Sequence, residues 1–574
     1  MNNADAGAAL REIAELLELR GESSFRIRAY ENASNALTGT TEDVNVLAND
    51  HRLVALKGVG KGIADRIEEL LTTGHIAYLE ELQQEFPAGV RSLLKVPGIG
   101  PALARRVYRE LGIDSLDSMR EAAEDGRLAS LSGMGQKSAD NVIRALSRVS
   151  KEDNRISIGK ALPLVEHVMG QLRDATPVQE VLPAGSLRRW SPTIGDIDLI
   201  ATTDGPAAVM DAFVTLPDVQ QVLGRGPTKS SIISGNGLQV DLRIVEAESF
   251  GSLLQHFTGS RDHNIELREY ALQRGVSLNE YGIVTVADQT LHRYQDEISF
   301  YAALDLEYIP PELRQGSGEI RAAKARALPT LIDVGDIRGD MHMHSEWSDG
   351  SVPIEEMIAA AQARGYEYVA LTDHSGGIGV ANGLSAERLL QQIQEVRVLA
   401  ARFPGIRIFA GSEVDIKRDG SLDFPDEILA QLDWVIASVH SGFNQPRDEM
   451  TARIIAALEN PHVNLLAHPT GRLIGKRAAY DVDLEAVFRA AARTNTALEI
   501  NSFPERLDLV DTHVRRAKEL GAMIVINTDA HAPAHFDNIR YGVAMARRGW
   551  LEAGDVLNAL PLESLEKRLR SVSR

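Results

Sequence analysis

AGSLRRWSPTIGDIDLI, residues 184–200, sets a Gly-Ser-Leu-Arg-Arg run ahead of an apolar segment carrying two aspartates, Asp196 and Asp198, in the spacing Asp-x-Asp. The apolar surroundings read as a strand, on which residues two apart share a face. Two carboxylates on one face oppose each other's ionisation unless something positive sits between them. A divalent ion with oxygen ligands, of the magnesium or manganese type, meets that need. A third acid, Asp241, stands between Val240 and Leu242 in GLQVDLRIV.

With 574 residues, 44% hydrophobic and 25% charged, the chain has an ordinary globular composition and is too long for one core, so several domains are expected. Cysteine is absent. That excludes disulfides and thiolate metal sites and fits a reducing compartment. The first thirty residues are charged, and no apolar run approaches the roughly 20 residues of a membrane helix. A soluble cytoplasmic protein without a membrane partner is the expectation. The net charge is −20, with all three parts of the chain acidic. Any DNA contact must therefore come from local arrangement, by backbone N–H groups and a few arginines.

One pattern recurs three times near the N-terminus: GVGKGIADRI at 58–67, GIGPALARRV at 98–107 and GMGQKSADNVI at 133–143. The glycine pairs Gly58/Gly60, Gly98/Gly100 and Gly133/Gly135 each precede a helical pattern, where free amides and the helix dipole favour a phosphate. One copy is also an ordinary interhelical turn; three copies shift the balance. These segments resemble helix-hairpin-helix motifs, which bind DNA backbones without reading sequence. The expected organisation is an N-terminal helical domain over 1–85 with one hairpin motif, and a fingers-like helical domain over 86–150 with two.

The C-terminal part repeats another theme, an apolar run ending in a possible metal ligand. The runs are GDMHMHS (His342, His344), YEYVALTDHS (His374), IRIFAGSEVD (Glu413), LDWVIASVHS (His440), VNLLAHPTG (His468), TALEINS (Glu499) and AMIVINTDAHA (Asp529, His531). Helical segments lie between them, which describes a TIM-like (β/α)7 barrel with its site on the top face. With Asp349 added and Glu499 left out, nine nitrogen and carboxylate groups suit two or three ions of the zinc, manganese or iron type. Such a cluster activates water and clamps phosphate oxygens. The pattern looks like the PHP (polymerase and histidinol phosphatase) family, whose nine-ligand site His342, His344, Asp349, His374, Glu413, His440, His468, Asp529 and His531 match. The resemblance covers residues 337–574.

GSLRR, GDID and the later VDLR then match the nucleotidyltransferase palm of a family X DNA polymerase. The resemblance implies that Asp196, Asp198 and Asp241 are catalytic and hold two magnesium or manganese ions. It also implies that Gly185, Ser186, Arg189 and the amide at Gly195 grip the triphosphate. HFTGS, residues 256–260, resembles the family's sugar-contacting turn, formed here by His256, Phe257, Gly259 and Ser260, with the Gly-Ser peptide cis. Asn264 and Arg268 match positions that touch the incoming base and the template minor groove. The implied α+β palm spans 151–248, the nucleotide-selecting thumb 249–320, a Pro/Gly-punctuated linker 321–336 and the PHP domain 337–574. The implied function is short-gap filling in DNA repair by a DNA-directed DNA polymerase, with a PHP-based 3′–5′ exonuclease to which abasic-site cleavage is open as well. The partners are DNA and deoxynucleoside triphosphates, and nothing in the chain demands more than a monomer.

Three residues depart from the family pattern. Arg66 stands where lyase-competent members have a Schiff-base lysine, and a guanidinium is a very poor imine former, so no strong lyase activity is expected there. His256 replaces the usual aromatic before FTGS, which points to weaker ribonucleotide exclusion. Trp190 replaces a glycine after the two arginines. Trp190 and His256 motivate a second reading, a PHP phosphoesterase whose degenerate polymerase half delivers DNA. A third reading is a DNA-end scaffold without turnover.

Overall fold

The computed structural model describes residues 3–131 and 155–572, apart from 41, 57, 88, 91–92, 94–98, 236 and 378–380. The chain divides into two compact units, Met1–Asn154 and Arg155–Arg574. Among the described residues no helix is long and apolar enough to cross a membrane.

The first unit is helical. Leu10, Ile13 and Leu17 recur at helical spacing along Asn3–Arg20 and are fully buried. Ser23 caps the Ser24–Gly39 helix by accepting from the Arg26 amide. Gly74 ends Lys61–Thr73 at φ 81°, and Gly112 ends Pro101–Leu111 at φ 67°, left-handed positions that cost glycine little. One apolar core runs from Ala6 to Leu131 and takes in Ile67, Phe86, Val107 and Met119.

The second unit begins with a five-stranded sheet in the order Val178–Pro183, Asp196–Thr203, Gln239–Ile244, Lys229–Ser234, Val219–Arg225. The two central strands are parallel, with Asp198 opposite Asp241. Ile197, Leu199, Val240 and Leu242 face the helices Ile158–Ala175 and Pro206–Val214 in one core. Ile200 belongs to the other face and packs with Phe250, Leu253 and Leu254. The period of two therefore sends Asp196, Asp198 and Asp241 to that second face, beside the Phe250–Thr258 helix.

A smaller subdomain follows, with the helices Arg261–Gln273 and Glu297–Ala303 and a three-stranded antiparallel sheet. Its core holds Leu267, Ala271, Phe300, Tyr301 and Leu313. The segment beyond it docks rather than dangles: the Ile332 amide donates to Leu551, and Arg547 donates to the Ile332 carbonyl.

From Gly339 seven parallel strands stand in chain order: Gly339–Met343, Tyr368–Leu371, Arg407–Asp415, Trp434–Ser438, Leu465–Leu466, Ala497–Asn501 and Ile524–Asn527. A parallel bridge between Met343 and Ala530 brings the first strand against the end of the last, so the barrel is nearly closed. Met341, Tyr368, Ala370, Phe409, Trp434, Ile436 and Val525 make one core, closed off by Leu557 and Leu565. The alternate residues Val369, Leu371, Ile408, Val435, Ile500 and Ile526 pack in the other, with the surrounding helices. Burial on both faces is why these strands read as continuous apolar runs.

Two candidate metal centres

At the palm, the register that pairs Asp198 with Asp241 sets Asp196 across from Gln239. Asp241 is buried, Asp198 half-buried and Asp196 exposed. Lys229 Nζ lies 2.9 Å from Asp241 Oδ2, and Gln239 donates to Oδ1 at 2.9 Å. Although burial opposes it, these donors hold the Asp241 carboxyl below its ordinary value. Asp198 moves the other way, to about 6, through burial and the neighbouring charges of Asp196 and Asp241. The palm thus keeps negative charge that Lys229 does not neutralise, the property a divalent cation with oxygen ligands satisfies.

The short helix Gly185–Arg188 is tied to this strand by the Ala184 amide, which donates to the Asp198 carbonyl at 2.8 Å. Gly185 has φ 59°, and a Cβ on it would stand 3.1 Å from Asp198 Oδ2. Ser186 is half-buried in the same turn, and the Ser191 amide donates to its carbonyl. Arg189 donates to the Thr258 carbonyl and is lowered to about 10 by burial and by Arg548, Arg314 and Arg155. Its neighbour Arg188 forks onto Glu297 at 3.0 and 2.7 Å, and Glu297 also takes Arg314 at 2.5 Å. The Gly259–Ser260 peptide is cis, as the resemblance implies. Asn264 donates to the His256 carbonyl at 2.8 Å and accepts from Gln255, which fixes that turn from beneath. Burial and Arg268 lower His256; Phe257 carries the Arg243 guanidinium at 4.2 Å. Arg268 is exposed, and Gly195 lies against Arg155, whose Nη1 is 3.1 Å from the position of a Cβ there. Trp190, at φ 54°, sets its ring 6.0 Å from Tyr541 of the barrel, so its bulk packs into the junction between palm and barrel.

In the barrel, the ligand-type residues stand at or just beyond the C-terminal ends of strands. Glu413 is central. Its Oε2 lies 2.9 Å from His374 Nδ1, 3.3 Å from His342 Nε2 and 3.6 Å from His344 Nε2; its Oε1 lies 3.0 Å from His468 Nε2 and 3.2 Å from His440 Nε2. Asp529 Oδ1 approaches His344 Nε2 at 3.1 Å, and Asp349 Oδ1 approaches His531 Nε2 at 3.3 Å. Three groups have all their ligand atoms within 4.8 Å of one another: His344, Asp349, His374 and His531; His342, His344 and Asp529; His374, Glu413 and His440. His468 stands outside these groups and reaches the cluster through Glu413. The palm carboxylates do not form so tight a group.

The electrostatics of the cluster are those of ligands drawn together. Burial opposes protonation of His374, but Glu413 and Asp349 raise it to about 10. Burial and the rings of His531 and His374, stacked at 4.2 and 4.5 Å, lower His344 to about 3. His342 Nε2, His344 Nδ1, His374 Nδ1 and His468 Nδ1 are buried without a hydrogen bond. His374 Nδ1 is close to Glu413 yet off the line of one. A buried unsatisfied nitrogen costs about 1–3 kcal/mol, and a cation that takes imidazole and carboxylate ligands removes that cost at several nitrogens together. The residues therefore fit two or more divalent ions.

Sequence reasoning named Glu499 only as a possible ligand and missed Asp415 and Arg506. Glu499 accepts from His342 Nδ1 at 2.7 Å, and Asp415 accepts from His440 Nδ1 at 2.6 Å. Arg506 lines the same cavity of about 230 Å³, with Nε 3.6 Å from Asp529 Oδ2. Glu499 stands at the end of one of the apolar runs; nothing local marks the other two as site residues.

In the helical unit, Gly60 and Gly100 are the N-caps of Lys61–Thr73 and Pro101–Leu111, and Gly58 has φ 97°. Gly98, Gly133 and Gly135 lie outside the described residues. Arg66 donates to the Gly62 carbonyl at 2.7 Å and stacks over Tyr78 at 4.6 Å.

Comparison with known proteins assigns segments of the chain. Residues 1–76 match the helix-hairpin-helix domain, 90–148 the SAM-like helix-hairpin-helix tandem, 253–315 the DNA polymerase beta thumb and 340–503 the PHP domain. The chain is 42% identical over 572 residues to the DNA polymerase/3′-5′ exonuclease PolX of Bacillus subtilis (strain 168), covering 99% of this chain and 100% of that protein. It is 31% identical over 221 residues to a probable phosphatase of Thermoanaerobacter sp. (strain X514), covering 36% of this chain and 83% of that protein. It is also 32% identical over 201 residues to a probable phosphatase of Acetivibrio thermocellus, covering 33% of this chain and 78% of that protein.

Proposed function

Because the chain belongs to the bacterial family X DNA polymerases that carry a PHP domain, we propose that it fills short gaps in DNA during repair and trims 3′ ends with its barrel. Asp196, Asp198 and Asp241 hold magnesium or manganese at the palm; the nine histidine and carboxylate residues hold two or three manganese, zinc or iron ions in the barrel. When bound, such ions compensate phosphate charge and lower the pKa of the attacking hydroxyl or water. The observation that carries the reading is the register of Asp198 on Asp241, which gathers negative charge on one face of the two central strands beside the Gly185–Arg188 turn.

The chain's own groups do the remaining work. Gly185 lets the backbone approach Asp198, and Ser186, Arg189 and the Gly195 amide receive the β and γ phosphates of a deoxynucleoside triphosphate. Glu297 fixes Arg188, which keeps the neighbouring Arg189 in place. The Gly259–Ser260 turn, held by Asn264, meets the sugar, and Arg268 meets the template. In the barrel, Glu499 and Asp415 fix the orientation of His342 and His440. Arg506, which lines the metal cavity, neutralises a phosphate oxygen. In the helical unit, the amides after Gly60 and Gly100 receive DNA phosphates without reading bases. Arg66, stacked on Tyr78, supplies no Schiff-base amine.

The test is a 5′-labelled primer on a short-gapped duplex with manganese and deoxynucleotides. The reading expects extension to fill the gap and its loss in Asp198→Ala. A protein that shortens the primer but never extends it is a nuclease with a palm used for delivery.

A further inference from the structure

A cavity of about 560 Å³ lies between Pro192 and Thr193 of the palm and the Arg472–Ala479 loop of the barrel. Neither metal centre contributes a residue to it. Arg472, Lys476 and Arg477 line it, and no carboxylate is among the described residues that do. In a chain of net charge −20, such a concentration of positive charge favours an anionic ligand.

The loop is built rather than loose. Arg472 donates to the Arg506 carbonyl at 2.8 Å and the Leu507 carbonyl at 2.5 Å. Arg477 donates to the Gly471 carbonyl at 2.8 Å and lies over the Phe443 ring at 3.9 Å. Lys476 is 64% exposed, and its ammonium, 2.6 Å from Glu505, keeps donors to spare.

The cavity is also placed between the two centres. On the barrel side, the loop is pinned to the backbone of Arg506, whose side chain lines the metal cavity. On the palm side, Arg155 donates to Thr193 Oγ1 at 3.0 Å and packs against Gly195, next to Asp196. Arg155 therefore stands on the palm side of the cavity, Lys476 and Arg477 in its lining, and Arg506 beyond the loop on the barrel side. The phosphates of a nucleic-acid backbone are the chemical complement of cations so distributed, and an unpaired strand can follow a groove that a duplex cannot enter.

We infer that this cavity binds the phosphodiester backbone of single-stranded DNA and guides an unpaired 3′ end from the palm to the barrel cluster. The inference rests on the polymerase and nuclease reading above. A free phosphate or mononucleotide presents the same chemistry, and the experiment separates the two.

The full-length protein is compared with Lys476→Glu and Lys476→Arg in three measurements: salt-dependent binding of a long oligothymidylate, its 3′ excision, and hydrolysis of the p-nitrophenyl ester of thymidine 5′-phosphate. The ester needs only the barrel cluster. Lys476→Glu is expected to weaken oligonucleotide binding and excision several-fold, to reduce the log–log salt slope by about 0.7 for one lost phosphate contact, and to leave ester hydrolysis unchanged. Lys476→Arg is expected to restore both oligonucleotide readouts. Equal loss on ester and oligonucleotide, or no change on the oligonucleotide, overturns the inference. So does a Lys476→Glu protein that binds the oligonucleotide normally but, titrated with inorganic phosphate in a fourth measurement, no longer takes up the phosphate that the wild type binds, because the cavity then takes free phosphate. A wild type that hydrolyses neither substrate refutes the nuclease reading, while the salt slope still decides the cavity.

Discussion

His342 Nδ1 lies 2.7 Å from Glu499 Oε1, and the same glutamate accepts from the amides of His468 and of the Asn501 and Asn527 side chains. Glu499 therefore decides which imidazole nitrogen of His342 carries the proton and which faces the cluster. Glu499→Gln should lower metal affinity at the barrel by about 10- to 100-fold and leave primer extension intact. Metal titration of 3′ excision measures it; an unchanged titration would remove Glu499 from the site.

The palm depends on a residue of the barrel. Arg548 donates to the Arg189 carbonyl at 2.6 Å and pairs with Asp511. Its loss should release the Gly185–Arg189 turn, which we propose grips the triphosphate, raising KM for deoxynucleotides roughly tenfold, the worth of one charge-assisted hydrogen bond, while kcat changes less. Arg548→Ala measured against Arg548→Lys in steady-state extension tests this. Equal loss of extension and excision would mean that the substitution only unfolds the junction.

Gly185 should tolerate no side chain. At φ 59° and with Asp198 Oδ2 3.1 Å from the site of a Cβ, Gly185→Ala forces strain of about 1–2 kcal/mol onto the turn that faces the aspartates. Extension should fall at least tenfold with excision retained.

Spacing made much of this fold readable. Asp196 and Asp198 declared a strand face, and His342, His374, His440 and His468 declared the strand ends of a parallel barrel, because each signal lies within a few residues. The supports were not readable, since they join distant parts of the chain: His342 and Glu499 are 157 residues apart, and Arg188 and Glu297 are 109 apart. Lys229 beside Asp241 was missed for a related reason: an antiparallel register, with no local motif, sets it there. Trp190 stood out as an oddity after the two arginines, and the structure packs it against Tyr541 of the barrel.

Acid should loosen the thumb through Glu297. Burial pushes this carboxyl up, yet Arg314 and Arg188 bring it down to about 2. A carboxyl held below its unfolded value contributes stability above about pH 4.5 and loses it as the pH falls toward 2, here roughly 3 kcal/mol. Glu297→Gln should flatten the pH dependence of unfolding between those limits. A variant with the wild-type slope in that window would place the acid sensitivity elsewhere.

The central claim is that one chain holds two separate metal-dependent chemistries. Asp198→Ala and His342→Ala, assayed side by side on one 5′-labelled primer with and without deoxynucleotides, test it most directly. The account predicts that the first loses only extension and the second only excision. Loss of both reactions in either variant would contradict it, because a single centre would then serve both.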